Sequence, residues 1–466
     1  MVRSPFGDFL ARQAREQGGR EAVRSEGERA SVSFAGLHER SGVWERGLEK
    51  AGVEAGRLVA LATGNTLAFV ELFFALRRRG AAVLIVDDGH AAPGTLEVCR
   101  AMGAAGILHR QSSIAGVGLA GAPDPSVRWT ELPGSAPPPG TAIVKLTSGS
   151  TLNPRGACFT EEALLEGIDH IVRGMSLTPR DRVLVSIPLG HSYGFDNGVL
   201  SLAAAGTPLV LQPDVLPTAL LGTIRDRGIT FFPAVPALLR ALALAEWPRD
   251  LPLRSVISAS APMPAETEEA FRVASGLRIQ QFFGATEAGG ISFETRPDEP
   301  HARGSVGFPL PGVRIELHPE DGIRVHSAAN RFAILPSREA TPPHVATGDR
   351  GEISPDGRLR LKGRIQVVGN IGGIKVDVGA IDEFLRTLPG VGEAAVLPVE
   401  DPVRGHRLVA CVESDTQSPN SLLELCRARL SAREVPSEIR VVDRLPRTSR
   451  GKLDRSALRD MLVVGP

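Results

Sequence analysis

The stretch "RLVALATGNTLAFVELFFALRRRGAAVLIVD", Arg57 to Asp87, decides the architecture. "RLVALAT" is a short apolar run that reads as a buried strand. "AFVELFFALRRRG" spaces its apolar residues as a helix and is closed by Gly80. "AAVLIVD" is strand-like again. A strand, a helix and a second strand in succession imply parallel pairing, so the fold class is α/β. Working outward, "FGDFLARQARE" has helical spacing, and strand and helix signals resume from "AIVKLTS" to "ITFFPAVPALLRALALAE". Between them, "GAPDPSVRWTELPGSAPPPGTA" is rich in Pro and Gly and reads as a surface connection.

Beyond this region the rhythm changes. From "GSVGFPLPGVRIEL" to "GEISPDGRLRLKGR" short alternating runs are broken by Pro-Gly and Asp-Gly pairs, which predicts antiparallel hairpins with a turn at Pro355–Gly357. After Arg364 about 100 residues follow a rhythm of their own: strand-like "AAVLPV" and "RLVACVE", helical "SLLELCRARLSA", then "EIRVVDRLP". This places a domain boundary near Lys362–Gln366.

With 466 residues, 42% hydrophobic and 23% charged, the chain is long enough for roughly two or three domains. Its formal net charge is zero, so no global field draws nucleic acid, and one Tyr with three Trp offers few base-stacking platforms. Four cysteines, Cys99, Cys158, Cys411 and Cys426, lack metal or redox spacing and read as small buried hydrophobes of a reducing compartment. The N-terminus has no signal-peptide apolar region, and no run approaches the roughly 18 apolar residues of a membrane span. The expectation is a cytoplasmic protein with no integral membrane segment.

Several polar stretches carry chemistry. "KLTSGSTLNPRG", Lys145–Gly156, sets hydroxyls and small residues after a strand, where backbone N–H groups and hydroxyls can converge on a phosphate that Arg155 neutralises. It is not a Walker A loop, because G-x-x-x-x-G-K-[ST] is absent. "QQFFGATEAGG" places Thr286 beside Glu287 on a glycine-flanked loop. "ATGDRGEI" puts Asp349 in a turn. "LKGRIQVVGNIGGIKVD" supplies Arg364 and a glycine-rich turn, and "LPRTSRGKLDR" holds Lys452 in a basic loop.

In this order, over nearly the whole chain, these stretches resemble the adenylate-forming superfamily: acyl- and aryl-CoA synthetases, nonribosomal adenylation domains and firefly luciferase. The resemblance implies a large N-terminal domain of mixed sheets flanked by helices with a small β-barrel-like subdomain, residues 1–364. A small mobile α+β domain, residues 365–466, would follow.

It also implies roles. Thr147, Ser148, Gly149, Ser150 and Thr151, with Arg155 and Gly156, would grip the ATP phosphates. Ser260, Ala261 and Pro262 of "SASAPMP" would line the adenine site and Phe283 would stack on adenine. Thr286 would contact phosphate and Glu287 hold Mg²⁺. Asp349 would take the ribose hydroxyls, a task suited to a carboxylate, with Arg364 beside it. Lys452 would bridge carboxylate and α-phosphate in the transition state. Gln366 would be the hinge about which the C-terminal domain swings, so that the face near Gly372–Gly373 serves the second half-reaction.

The implied activity is ATP-dependent activation of a carboxylic acid, then transfer to a thiol: coenzyme A, or phosphopantetheine on a separate carrier protein. The sequence departs from the family pattern at Leu152 for Gly, Arg155 for Lys, Phe283 for Tyr, Gln366 for an acidic residue or Lys, and Asn370 for Lys.

One stretch invites a different reading. "GHSYG", Gly190–Gly194, is a literal G-x-S-x-G after the apolar "VLVSIP", the pattern of a serine-hydrolase nucleophile elbow. No HGG-like oxyanion loop precedes Ser192, and none of the later histidines (His301, His318, His326, His344, His406) lies in a selecting motif. In the family this is the acid-pocket segment, so His191 would face the reacting carboxylate and Ser192 would be incidental. Phe195, Val199, Phe232, Pro233 and Val235 are expected to line the pocket, with Gly289 and Gly290 at its floor. This apolar set suits a fatty or aromatic acid. A regulatory relative without turnover is the remaining alternative, and the presence of Lys452, Glu287 and Asp349 argues against it.

Overall fold

Strands Leu58–Ala62 and Ala82–Ile85 pair in parallel, Val59 against Val83 and Leu61 against Ile85. The helix between them, Leu67–Arg78, is capped by Thr66, whose hydroxyl accepts from the Phe69 N–H, and it is followed by Gly80 at φ 72°. Every residue from Leu67 to Arg77 is buried, as befits a mostly apolar helix sandwiched in a core, with its two buried charges, Glu71 and Arg77, paired to Arg40 and Glu161. The structure is a computed structural model, and it describes residues 5–87, 92–147, 155–299, 304–364, 368–371, 374–401, 405–430, 434–448 and 453–463.

The period-2 alternation of strands sorts side chains into layers. Val59, Leu61, Val83 and Ile85 enter one core, whereas Leu58, Ala60, Ala62 and Leu84 enter another. The first core lies between two nine-stranded sheets. One sheet contains, in spatial order, the strands beginning at Glu339, Ala333, Gly156, Ile143, Ala82, Leu58, Gly106, Arg128 and Val117. The other contains those beginning at Phe308, Gly289, Ile279, Ser255, Phe231, Val183, Leu209, Glu21 and Ala30. Phe73 sits in the shared core, edge-on to Phe6, Phe74 and Phe195 at 5.5, 5.3 and 5.1 Å. Truncating such a ring costs about 3–5 kcal/mol.

The stretch expected to be a mere connection, residues 121–142, contains a strand, Arg128–Glu131, which pairs with Gly106–His109. Val127, just before the strand, and Trp129 within it decide this. Val127 is fully buried, and the Trp129 ring lies over Gly106, where an added Cβ would come within 2.0 Å of it. Pro and Gly around the strand masked a short run that is held by one aromatic contact.

The chain divides into two compact units. The first takes residues 1–301, 306–314 and 325–345, and the second takes 302–305, 315–324 and 346–466. In the second, strands Asp349–Ile353 and Leu359–Arg364 form an antiparallel hairpin that turns through Pro355–Gly357, with Gly357 at φ 91°. A five-stranded sheet follows, built on the long Ala394–Asp401/Gly405–Glu413 pair with Glu438–Val442 added in parallel. Helix Val378–Arg386 is fastened to this sheet by Asp382, which accepts from the Val396 N–H at 2.5 Å and from Arg455 at 2.8 Å. All four cysteines are buried and unbridged, and burial pushes the Cys99 thiol up to about 12 and those of Cys158 and Cys426 to about 11.

Candidate active site

Strands Val183–Val185, Phe231–Ala234, Ser255–Ser258 and the start of Ile279–Ala285 are parallel neighbours. Their carboxyl ends therefore emerge along one edge, the usual ligand-binding edge of such sheets. In the facing sheet Leu58–Ala62, Ala82–Ile85 and Ile143–Leu146 are likewise parallel. Four polar contacts join the two sets of strand ends. Asn65 donates to the Ile187 carbonyl at 3.1 Å and accepts from the Leu189 N–H at 2.7 Å. His191 Nε2 lies 3.1 Å from Asp87 Oδ2. Lys145 Nζ lies 2.5 Å from Asp196 Oδ1.

The GHSYG segment takes its shape from this junction. A Cβ on Gly190 would meet the Val86–Asp87 backbone at 2.4 Å, and one on Gly194 would meet the Pro188 carbonyl oxygen at 2.4 Å. Ser192 opens a short helix, Ser192–Phe195, and is not among the residues at positive φ. Its Oγ is buried without a hydrogen-bond partner, so no base is aligned to activate it. The glycines permit close packing and do not build an elbow.

The nucleotide candidates gather at the same edge. Strands Ile143–Leu146 and Gly156–Phe159 form a hairpin whose base is closed by the Thr147 N–H donating to the Arg155 carbonyl at 2.9 Å. Ser148, Gly149, Ser150 and Thr151 lie outside the described residues. Gly156 is required by packing, since a Cβ there would lie 2.5 Å from Val144 and 2.9 Å from the Met102 sulfur. Thr286 and Glu287 occupy a tight turn, closed by an Ala288 N–H to Ala285 carbonyl bond of 3.0 Å and by Gly289 at φ 71°. Phe283, on the strand leading into that turn, is half-buried. Ser260 is exposed at φ 75°, a strained conformation for a residue with a side chain, beside half-buried Ala261 and exposed Pro262.

Sequence reasoning missed Arg331. Its N–H donates to the Glu287 carbonyl at 2.9 Å, while its guanidinium Nε and Nη1 are buried with no hydrogen-bond partner. Burial pushes the guanidinium pKa down, Glu287 counters this, and Arg155 adds to it. A cation with idle buried donors that interacts with both Arg155 and Glu287 has the chemistry to take an anion. The missing signal is topological: Arg331 precedes strand Ala333–Leu335, which pairs with Gly156–Phe159 from far along the chain.

A narrow cleft beside the turn, about 270 Å³ of non-protein space including its mouth, is lined by Lys145, Phe159, Leu164, Asp196, Gly289 and Gly290 among others. A smaller neighbour touches Ile187, Gly194, Asn197, Gly198 and Pro233. Of the expected lining residues, Gly289 and Gly290 border the first cleft and Pro233 the second. Phe195 is fully buried in the core between the sheets, Phe232 is fully buried in the core on the outer face of its sheet, and Val235 is half-buried at a helix start.

In the second unit, Asp349 and Arg364 are direct cross-strand partners. Lys452 and Gln366 lie outside the described residues, as do Leu152, Gly372 and Gly373. Among the described residues no group of three or more His, Cys, Asp or Glu could hold a metal ion, and no helix is long and apolar enough to cross a membrane. The donor set fits magnesium all the same, because that ion is commonly held by one or two carboxylates plus substrate phosphates and water. Glu287, beside Arg331, would supply such a carboxylate.

Residues 10–329 match the AMP-binding enzyme family, and residues 380–452 match the AMP-binding enzyme C-terminal domain. A sulfoacetate–CoA ligase of Cupriavidus necator is 30% identical over 69% of this chain and 68% of its own length. A feruloyl-CoA synthase of an Amycolatopsis species is 27% identical over 97% and 98% of the two chains. Among solved structures, the amide bond synthetase McbA of Marinactinospora thermotolerans superposes with a TM-score of 0.80, at 25% identity over 98% and 99% of the chains. With its larger match spanning well over half of the sequence, the chain belongs to the AMP-binding enzyme family.

Proposed function

We propose that this protein is an acid–thiol ligase. It activates a fatty or aromatic carboxylic acid with ATP to an acyl-adenylate and passes the acyl group to coenzyme A. The observation that supports this reading is the Arg331 guanidinium, whose buried Nε and Nη1 have no hydrogen-bond partner and which interacts electrostatically with both Arg155 of the Thr147–Arg155 hairpin base and Glu287 of the Thr286–Glu287 turn.

The chemistry explains the need for these groups. A carboxylate is a poor acyl donor because its leaving group would be oxide. When a carboxylate oxygen attacks the ATP α-phosphorus, an acid–phosphate anhydride forms and the bond to the pyrophosphate oxygen breaks. Arg155, Arg331 and the hydroxyl loop at residues 147–151 would stabilise the departing pyrophosphate. Bound magnesium, held through Glu287, would neutralise charge on the phosphates. Thr286 would hydrogen-bond the α-phosphate. Phe283 and Ser260–Pro262 would hold adenine, and Asp349 with Arg364 the ribose.

Lys452 would bridge the carboxylate and the α-phosphate as charge builds there, and His191, fixed by Asp87, would orient the incoming acid. In the second step the thiolate sulfur attacks the acyl carbon and AMP leaves with the anhydride oxygen. We place the pivot between the half-reactions at Gln366, with the domain boundary at 364/365. A carrier-protein phosphopantetheine would satisfy the same chemistry as coenzyme A.

The test is pyrophosphate release with ATP, Mg²⁺ and a panel of fatty and aryl acids, with and without coenzyme A, on the natural protein and Lys452→Ala. Acid-dependent release that the variant loses is the expected result. No acid-dependent release with any member of the panel would remove the ligase reading.

A further inference from the structure

Lys145 and Asp196 form an ion pair that the adenylation chemistry does not use. Both are almost fully buried, at 2% and 6% exposure, and Nζ sits 2.5 Å from Oδ1. Lys145 shares a strand face with Ile143, so it points into the core between the sheets. Its ammonium lies 4.9 Å from the centre of the Phe159 ring and 6.0 Å from that of Phe195. Asp196 is the first residue of a π-helical turn, Asp196–Leu200, between α-helical segments Ser192–Phe195 and Ser201–Ala205. Such insertions in helices are frequent at functional sites.

As a stabilising device the pair is poor. Desolvating two charges offsets most of their attraction, and apolar residues of similar volume do as well or better. Its location suggests another use. The pair lines the same cleft as Gly289 and Gly290, which follow directly on the Thr286–Glu287 turn. The remaining lining, Phe159, Leu164, Ile168 and Leu200 among it, is apolar. An acid seated with its carboxylate at that turn would direct its far end toward the pair.

Charge balance then selects what that far end carries. A second carboxylate or an ammonium would leave a net charge in a desolvated pocket. A hydroxyl brings none. It can accept from the Lys145 ammonium, which has three donors, and donate to the Asp196 carboxylate, which has two oxygens. The cleft is tight at the pair, with room there for about one water-sized group, which suits a hydroxyl and not a bulkier group. We propose that Lys145 and Asp196 form a recognition subsite for a neutral hydroxyl at the distal end of the acid substrate, as in a hydroxyaryl acid. This rests on the acid–thiol ligase reading above.

The experiment uses matched pairs of acids, aryl and short alkyl, that differ only in a distal hydroxyl. Acid-dependent pyrophosphate release gives the ratio of kcat/KM within each pair. The natural protein should favour the hydroxylated member by about 10- to 150-fold, the range of a hydrogen bond to a charged group. In Lys145→Met/Asp196→Leu, where both charges leave together, the ratio should collapse to within about threefold. Asp196→Asn, which keeps the shape, should lower it and provides the reading if the double variant does not fold. A natural protein that turns over unsubstituted acids as well as or better than their hydroxylated partners overturns the subsite, as does a ratio that survives in the variants. Absence of turnover with every acid is a different failure, which removes the ligase reading and the subsite with it.

Discussion

Arg331→Met separates function from folding by the sign of two effects. The guanidinium carries buried, unpartnered Nε and Nη1 atoms, and leaving such a group unsatisfied costs about 1–3 kcal/mol. Methionine fills similar space without donors, so the variant should melt at the same temperature as the natural protein or slightly higher. Catalysis should move the other way. A hydrogen bond from a cation to a charged oxygen contributes about 1.5–3 kcal/mol, or roughly 10- to 150-fold. The bare Coulomb attraction, about 4 kcal/mol at 4 Å and an effective dielectric constant near 20, sets the upper bound. Pyrophosphate exchange at varied ATP should therefore show kcat/KM for ATP reduced about 10- to 150-fold, with Arg331→Lys recovering part of the loss. A variant that melts several degrees lower while its ATP kinetics are unchanged would show that the arginine serves the fold, and the anion-site reasoning would be wrong.

Other perturbations test separate parts of the site. Phe283→Ala should raise the KM for ATP more than that for the acid, and an unchanged ATP KM would remove the stacking assignment. Lys452→Ala should lower adenylate formation by about 10²–10³-fold, the size of losing a positioned donor at developing charge. It should largely spare thioester formation from a supplied acyl-adenylate, and equal loss of both steps would count against the two-step division of labour.

Asp382 gives a pH signature. Burial raises its carboxyl from 3.8 to about 6, against the pull of Arg455. The folded state thus holds the proton more tightly than the unfolded chain. Its contribution is fully present below about pH 4 and is lost as pH rises to about 6, on the order of 3 kcal/mol. Hydrogen exchange at the Val396 amide should report that slope, and Asp382→Asn should flatten it. An equal slope in both proteins would show that another group is responsible.

What could be read from the sequence follows from the range of each interaction. Strand Leu58–Ala62, helix Leu67–Arg78 and strand Ala82–Ile85 are legible because local apolar spacing and a glycine stop encode them. The turn at Pro355–Gly357 is legible because its dihedral demand falls on adjacent residues. Asp349 and Arg364, noticed as separate stretches, prove to be cross-strand partners of the hairpin that this turn creates. The strand at Arg128 was hidden because its one strong contact, Trp129 over Gly106, lies outside any local window. Arg331 and the Lys145–Asp196 pair were hidden for the same reason on a larger scale. Each is polar, and each gains meaning only when distant strands close around it.

The GHSYG stretch shows how a local pattern can be true in its letters and false in its chemistry. A nucleophile elbow needs a strained serine on a sharp strand-to-helix turn, a histidine aligned on its hydroxyl, and donors for an oxyanion. Here the serine begins a helix without strain, its hydroxyl meets no partner, and the adjacent histidine turns to Asp87 instead. Both glycines are required by close backbone approach, one to the end of strand Ala82–Ile85 and one to Pro188. Ser192→Ala should accordingly leave adenylation within about twofold of the natural protein and stability unchanged or slightly higher, since it removes a buried unpaired hydroxyl. Loss of activity in that variant would return Ser192 to the list of reacting groups. Its retention would leave His191, held 3.1 Å from Asp87 where the two sheets meet, as the residue of this segment proposed to orient the acid.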